Sequence, residues 1–168
     1  MTIQQDYLFP VYIYQKTLNK VINICKRNKT EVFGFLIGTL YNWKGNYYII
    51  IKNQVYVKSG LFGNEFSVYE MGNAPYTGEM NKYCLEVEKI IEKNPKLLNL
   101  GWWHSHPNFG LFLSSLDINT QKFLYYKPYH VALVVDPIRD CYSFFTLDDS
   151  SKKGYKEISY AVISRIKD

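Results

Sequence analysis

The spacing of apolar residues changes period several times along the chain, and each change marks the boundary of an element. Residues 7–14, Tyr-Leu-Phe-Pro-Val-Tyr-Ile-Tyr, form a short apolar run that Pro10 limits to an opening strand. From Gln15 to Asn28 the apolar residues Leu18, Val21, Ile22 and Cys25 recur at i, i+3, i+4 and i+7. That stripe predicts a helix with one buried face. Glu31 to Gly38, Glu-Val-Phe-Gly-Phe-Leu-Ile-Gly, predicts a buried strand whose two glycines let another backbone or a ligand come close. The polar stretch from Asn42 to Asn46, with Gly45, predicts a hairpin turn into a strand over Tyr47–Val57.

Between Lys58 and Gly78 both periods fade. Gly60, Gly63, Gly72, Pro75 and Gly78 punctuate the segment, which predicts a long loop or a loose hairpin. Helical spacing returns from Glu79 to Lys93, with Met80, Tyr83, Cys84, Val87, Ile90 and Ile91 on one face and Asn94-Pro95 as the stop. Leu97–Trp103 predicts a strand that delivers His104, and a helix is predicted from Ser115 to about Tyr126. Three late strands are expected over His130–Asp136, Cys141–Leu147 and Glu157–Arg165. Helices mixed with strands in this way predict an α/β fold, a curved mixed sheet flanked by helices in one domain over residues 1–168.

Composition excludes some classes of function. A chain of 168 residues that is 47% hydrophobic can build a core without staples. The net charge of +5 comes from scattered lysines, the sign of a solvated surface and not of a nucleic-acid partner. Cys25, Cys84 and Cys141 are far apart, odd in number and set among apolar neighbours, so they read as buried free thiols. Free thiols favour a reducing compartment, and a cytoplasmic protein is expected. The N-terminal residues do not read as a signal peptide, and no run approaches the roughly 20 apolar residues of a membrane span.

The chemistry concentrates in Gly101-Trp-Trp-His104-Ser105-His106-Pro-Asn-Phe-Gly-Leu-Phe-Leu-Ser114-Ser-Leu-Asp117. Histidines at i and i+2 on a strand point to one side, so both imidazoles can reach one metal ion. Asp117, eleven residues on, can supply a third ligand. Two imidazoles and a carboxylate suit zinc, with the fourth position open to water as in catalytic sites. Each piece also has a plain reading. A lone His-Ser-His is commonly a surface accident, Glu31 alone is a strand-end carboxylate, and Ser114-x-x-Asp117 is a helix capping box.

Taken in order, Glu31, His104-Ser105-His106, seven residues, and then Ser114-x-x-Asp117 resemble the signature of the JAMM (MPN+) metallopeptidases. Leu113–Gln121 and Val134-Val-Asp-Pro137 extend the resemblance, which runs from about Tyr7 to Arg165. It implies a cytidine-deaminase-like fold with one catalytic zinc held by His104, His106 and Asp117. It makes Glu31 the general base, Ser114 the oxyanion donor and Ser105 a support for the loop between the ligands. The implied activity is hydrolysis of the bond after the C-terminal glycine of ubiquitin or a ubiquitin-like protein. The implied partners are such conjugates and the E1- and E2-like enzymes of the same pathway. Short members of the family often accompany conjugation genes, some of them in antiphage defence.

The segment Lys58–Gly78, including Met71, falls where the family places a loop over the substrate tail. Trp103 and Phe109 flank the motif as candidate lining of the tail channel, with core packing the other reading of Trp103. A hydrolase of small peptides or amides and an inactive scaffold module remain as alternatives. The chain is also expected to lack a helical tail for docking into a large complex.

Overall fold

A computed structural model describes residues 9–57 and 78–164, with side chains of the helix that begins at Gly78 described from Leu85 onward. The elements run β1 (Val11–Tyr14), α1 (Gln15–Arg27), β2 (Phe33–Trp43), β3 (Asn46–Val57), α2 (Gly78–Lys93), β4 (Leu98–Ser105), α3 (Ser115–Leu124), β5 (Val131–Asp136), β6 (Cys141–Leu147), β7 (Tyr155–Ile158) and β8 (Tyr160–Ile163). They form one mixed sheet in the order β7-β6-β5-β4-β2-β3-β1-β8. Met71, the rest of 58–77, and the side chain of Cys84 lie outside the described residues.

The long β2–β3 hairpin turns at Lys44 and Gly45, both left-handed with φ of 50° and 85°. A two-residue hairpin turn needs such angles to match the twist of its strands. Asn42 steadies the turn, its Oδ1 accepting from the Gly45 N–H at 3.0 Å.

One expected strand divides in two. Residues predicted as Glu157–Arg165 form β7 and β8, separated by Ser159, and these strands lie on opposite edges of the sheet. With its edges one residue apart in the chain, the sheet has to curl into a nearly closed barrel. Tyr160 of β8 accordingly packs against Phe144 and Tyr142 of β6, with ring centroids 5.1 and 5.7 Å apart. Ser159 separates the mixed run Tyr155-Lys-Glu-Ile158 from the apolar run Tyr160-Ala-Val-Ile163, but a single serine does not by itself mark a change of sheet edge.

Two apolar clusters hold the layers together. Leu18, Val21 and Cys25 of α1 pack with Leu36, Ile51, Trp103 and Leu133 on one side. On the other, Val87, Ile90 and Ile91 of α2 and Leu116 and Ile118 of α3 meet Phe33, Phe35, Trp102 and Val134. Full burial of a side chain such as Leu18 or Val21 stabilises by about 1.5–3 kcal/mol.

An irregularity in β4 decides which side the histidines face. Leu36 of β2 pairs with Gly101, but Ile37 pairs with Asn99, so Leu100 is an extra residue in β4. Such a bulge reverses the inside–outside alternation beyond it. Leu98 and Leu100 therefore join the cluster under α1, whereas Trp102 joins the cluster under α3. Gly101 makes the bend at φ 150°, and a Cβ there would sit 1.9 Å from the Val131 carbonyl oxygen. No other residue fits.

Candidate metal centre

Beyond the bulge, Trp102 stacks on His104, with ring centroids 4.3 Å apart and planes 14° apart. The Trp102 indole donates to Gln121 Oε1 of α3 at 2.7 Å, so the helix and the strand grip the same ring. His104 is fully buried as a result, and its Nε2 faces His106 Nε2 at 3.1 Å. Asp117 completes the group from the first turn of α3, with Oδ1 3.5 Å from His104 Nε2 and Oδ2 3.7 Å from His106 Nε2.

These separations provide a test of whether the three residues suit a metal. Zinc–nitrogen bonds of about 2.0–2.1 Å in a tetrahedron separate the ligand atoms by about 3.3 Å. The observed 3.1, 3.5 and 3.7 Å bracket that spacing. All three residues are buried, and each presents a ligand atom within 4.8 Å of the other two. The set can hold one divalent cation, and its nitrogen-rich composition favours zinc over magnesium or calcium.

Asp117 is also part of the helix cap. Its backbone N–H donates to Ser114 Oγ at 3.2 Å, and its Oδ2 accepts from the Ser114 N–H at 2.7 Å. The capping box and the candidate metal ligand expected from the sequence therefore share one carboxylate. Burial pushes the Asp117 carboxyl up, but His104, His106 and Ser114 outweigh it and hold the group well below the usual carboxylate range. Burial works against a charged His106, but Asp117, then Glu31 and the Gly110 carbonyl, raise its pKa above the ordinary imidazole value.

Glu31 reaches the cluster from the start of β2, with Oε1 3.9 Å from His106 Nε2 and a side chain 38% exposed. Ser105 helps to place it. Its hydroxyl oxygen accepts from the Val32 N–H at 3.0 Å, while its own N–H donates to the Val32 carbonyl at 2.9 Å. The residue between the two histidines thus ties their strand to the residue after Glu31.

Glu31, His106, Phe109, Phe112, Ser114 and Asp117 line a cleft of about 180 Å³. Phe109 is 65% exposed, and the Phe112 ring lies 4.7 Å from that of His106. Trp103 is elsewhere. It is wholly buried on the α1 side, stacked on Tyr56 at 6.0 Å, and its indole fills the space a Cβ at Gly34 would need. The expectation that it lines a channel is corrected by the alternation of the strand, which sends it away from His104. The close approach expected at Gly34 and Gly38 is made by the Val55 and Ile50 carbonyls and by core side chains.

Two residues at the site carry no role in the sequence reading. Gln121 is the buried acceptor for Trp102, and Asp136 is a wholly buried carboxylate at the end of the apolar strand β5. A charge that ends such a strand must find partners if buried, which is the signal that could have marked Asp136. A larger cavity, about 1080 Å³, opens at the other end of β5 beside Val131, Tyr47 and Tyr126, remote from this chemistry.

The chain matches the family described as "JAB1/Mov34/MPN/PAD-1 ubiquitin protease" over residues 7–128. It is 52% identical over 64 residues to 26S proteasome regulatory subunit rpn11 of Schizosaccharomyces pombe, covering 32% of this chain and 20% of that protein. It is 34% identical over 125 residues to COP9 signalosome complex subunit 5 of Dictyostelium discoideum, covering 73% of this chain and 34% of that protein. A third similarity, 37% over 84 residues, is to NAD(+) hydrolase TcpA of a Theionarchaea archaeon, covering 42% of this chain and 26% of that protein. The chain thus spans about a third or less of the length of these relatives. The solution structure of protein DSY2949 from Desulfitobacterium hafniense shares the fold, with a TM-score of 0.63 and 17% identity over 94% of this chain and 95% of that one. With well over half of its length matched and the ligand cluster in place, the chain belongs to the JAB1/Mov34/MPN/PAD-1 family.

Proposed function

We propose that the protein is a zinc-dependent metallopeptidase that hydrolyses the bond after the C-terminal glycine of a ubiquitin-like protein. One observation carries the reading: three buried ligand residues converge, and a half-exposed glutamate stands 3.9 Å from one of them at the cleft.

Zinc held by His104, His106 and Asp117 would supply a Lewis acid that polarises the scissile carbonyl and acidifies water towards a pKa of about 7. Glu31 takes the proton of the attacking water and hands it to the departing amine nitrogen as the carbon–nitrogen bond breaks. A positioned base of this kind contributes about 10²–10⁴-fold. Ser114 Oγ accepts from the Asp117 N–H, which leaves its own proton free to meet the oxyanion. Phe109 and Phe112 offer apolar walls to an extended tail. Ubiquitin-like conjugates and the E1- and E2-like enzymes of their pathway are the partners on this reading, and cytoplasm is the compartment. Residues 1–168 act as one catalytic domain, because β5–β8, all beyond the matched residues, complete the same sheet.

The test is incubation of the zinc-loaded protein with ubiquitin-like fusions and with short peptides ending in Gly-Gly. Cleavage of fusions alone supports the proposal, whereas cleavage of the peptides alone favours a small-amide hydrolase. A wild-type protein that binds no zinc and cuts neither is a scaffold. Consumption of NAD⁺ in a parallel assay would redirect the reading to the activity named for the archaeal relative.

A further inference from the structure

The loop that follows the metal-ligand strand is held by a carboxylate that touches neither ligand nor cleft. His106–Gly110 crosses the end of β5, where the His106 N–H donates to the Val135 carbonyl at 2.8 Å. Asp136, the next residue, is wholly buried. Its Oδ1 accepts from the N–H groups of Asn108 (3.0 Å), Ile138 (3.0 Å) and Arg139 (3.1 Å), and its Oδ2 accepts from that of Gly110 (2.8 Å). The Arg139 guanidinium closes the group, with Nε 3.5 Å from Asp136 Oδ2 and a second nitrogen donating to the Asn108 carbonyl at 3.0 Å.

The conformation so held uses two left-handed residues. Asn108 is left-handed at φ 66° and Gly110 at φ 88°. Asn and Gly are the residue types that tolerate positive φ, so the sequence permits the turn and the Asp136 carboxylate fixes it. One peptide in particular is held from both sides. Gly110 gives its N–H to Asp136, and its carbonyl oxygen lies 3.2 Å from His106 Nδ1. A carbonyl can only accept, so His106 must carry its proton on Nδ1, which leaves the Nε2 lone pair facing His104 and Asp117.

The geometry points to Asp136 as a positioning residue that fixes the tautomer and aim of His106 through the Gly110 peptide, with Arg139 as its brace. It rests on the proposed metal site for its purpose, but not for its measurement. Outer-shell partners of this kind usually change metal affinity by about 10–100-fold. Asp136→Asn keeps one acceptor but turns an amide donor towards backbone N–H groups, so part of the loop loses its partner.

The experiment compares wild type, Asp136→Asn and Arg139→Met by imidazole ¹⁵N NMR of the metal-free proteins at alkaline pH, and by zinc affinity against a chelator. Wild type is expected to show His106 in the Nδ1–H form. Asp136→Asn should show a mixture of tautomers and about 10–100-fold weaker zinc binding, and Arg139→Met a smaller change of both in the same direction. An unchanged tautomer and affinity in a folded Asp136→Asn protein overturns the inference. Should that variant not fold, Arg139→Met decides alone, and wild-type behaviour on both readouts overturns it. If wild type binds no zinc, the metallopeptidase reading fails while the tautomer measurement still judges the clamp.

Discussion

Asp117 serves two structures with one carboxylate: Oδ2 caps α3 at 2.7 Å from the Ser114 N–H, while both oxygens approach the imidazoles. Asp117→Asn keeps an acceptor for the cap but removes the charge. It should fold with near wild-type circular dichroism and lose the metal by elemental analysis. Glu31 lies outside the ligand set, so Glu31→Gln should retain stoichiometric zinc and lose about 10²–10⁴-fold in turnover. Retained turnover would remove it as the base. The raised pKa of His106 sets the sign of a pH effect. A protonated imidazole cannot ligate, so zinc affinity should weaken as pH falls, beginning above the ordinary value of about 6.5. Titration with zinc across that range checks it. Most of these residues were legible because ligand chemistry restricts residue type and spacing together. Trp103 was ambiguous because a lining role and a core role require the same aromatic side chain.

The elements place the ligands through two local devices, the bulge in β4 and the capping box of α3. Gly101→Ala should cost several kcal/mol, since the Cβ meets the Val131 carbonyl at 1.9 Å and φ is 150°. Thermal or urea unfolding measures it, and a wild-type midpoint would contradict the account of the bulge. Ser114→Ala should lose about 1 kcal/mol through the cap alone, besides any loss of turnover. Most helices and strands could be located from hydrophobic period, turn residues and the Ser114-x-x-Asp117 cap. Gly101, an isolated glycine inside a strand pattern, is the only local hint of the bulge; the pairing register itself depends on the partner strand.

For the whole molecule, acid is the informative stress. Burial pushes the Asp136 carboxyl up, but the N–H groups of Arg139, Asn108, Gly110 and Ile138 prevail and hold it below its usual range. A lowered native pKa means that this stabilisation is complete above the unfolded value of about 3.9 and is lost as pH falls below it. The Asp136 contribution should therefore be lost as pH falls below about 4, and melting temperature should drop less steeply there in Asp136→Asn than in wild type. The curl of the sheet was not readable in advance, since it depends on β7 and β8 finding opposite edges. It has a consequence for behaviour in concentrated solution. Each outermost strand is four residues long. A row of amides that short is a poor template for lateral growth by a foreign chain, so fibril formation from the native state should be slow.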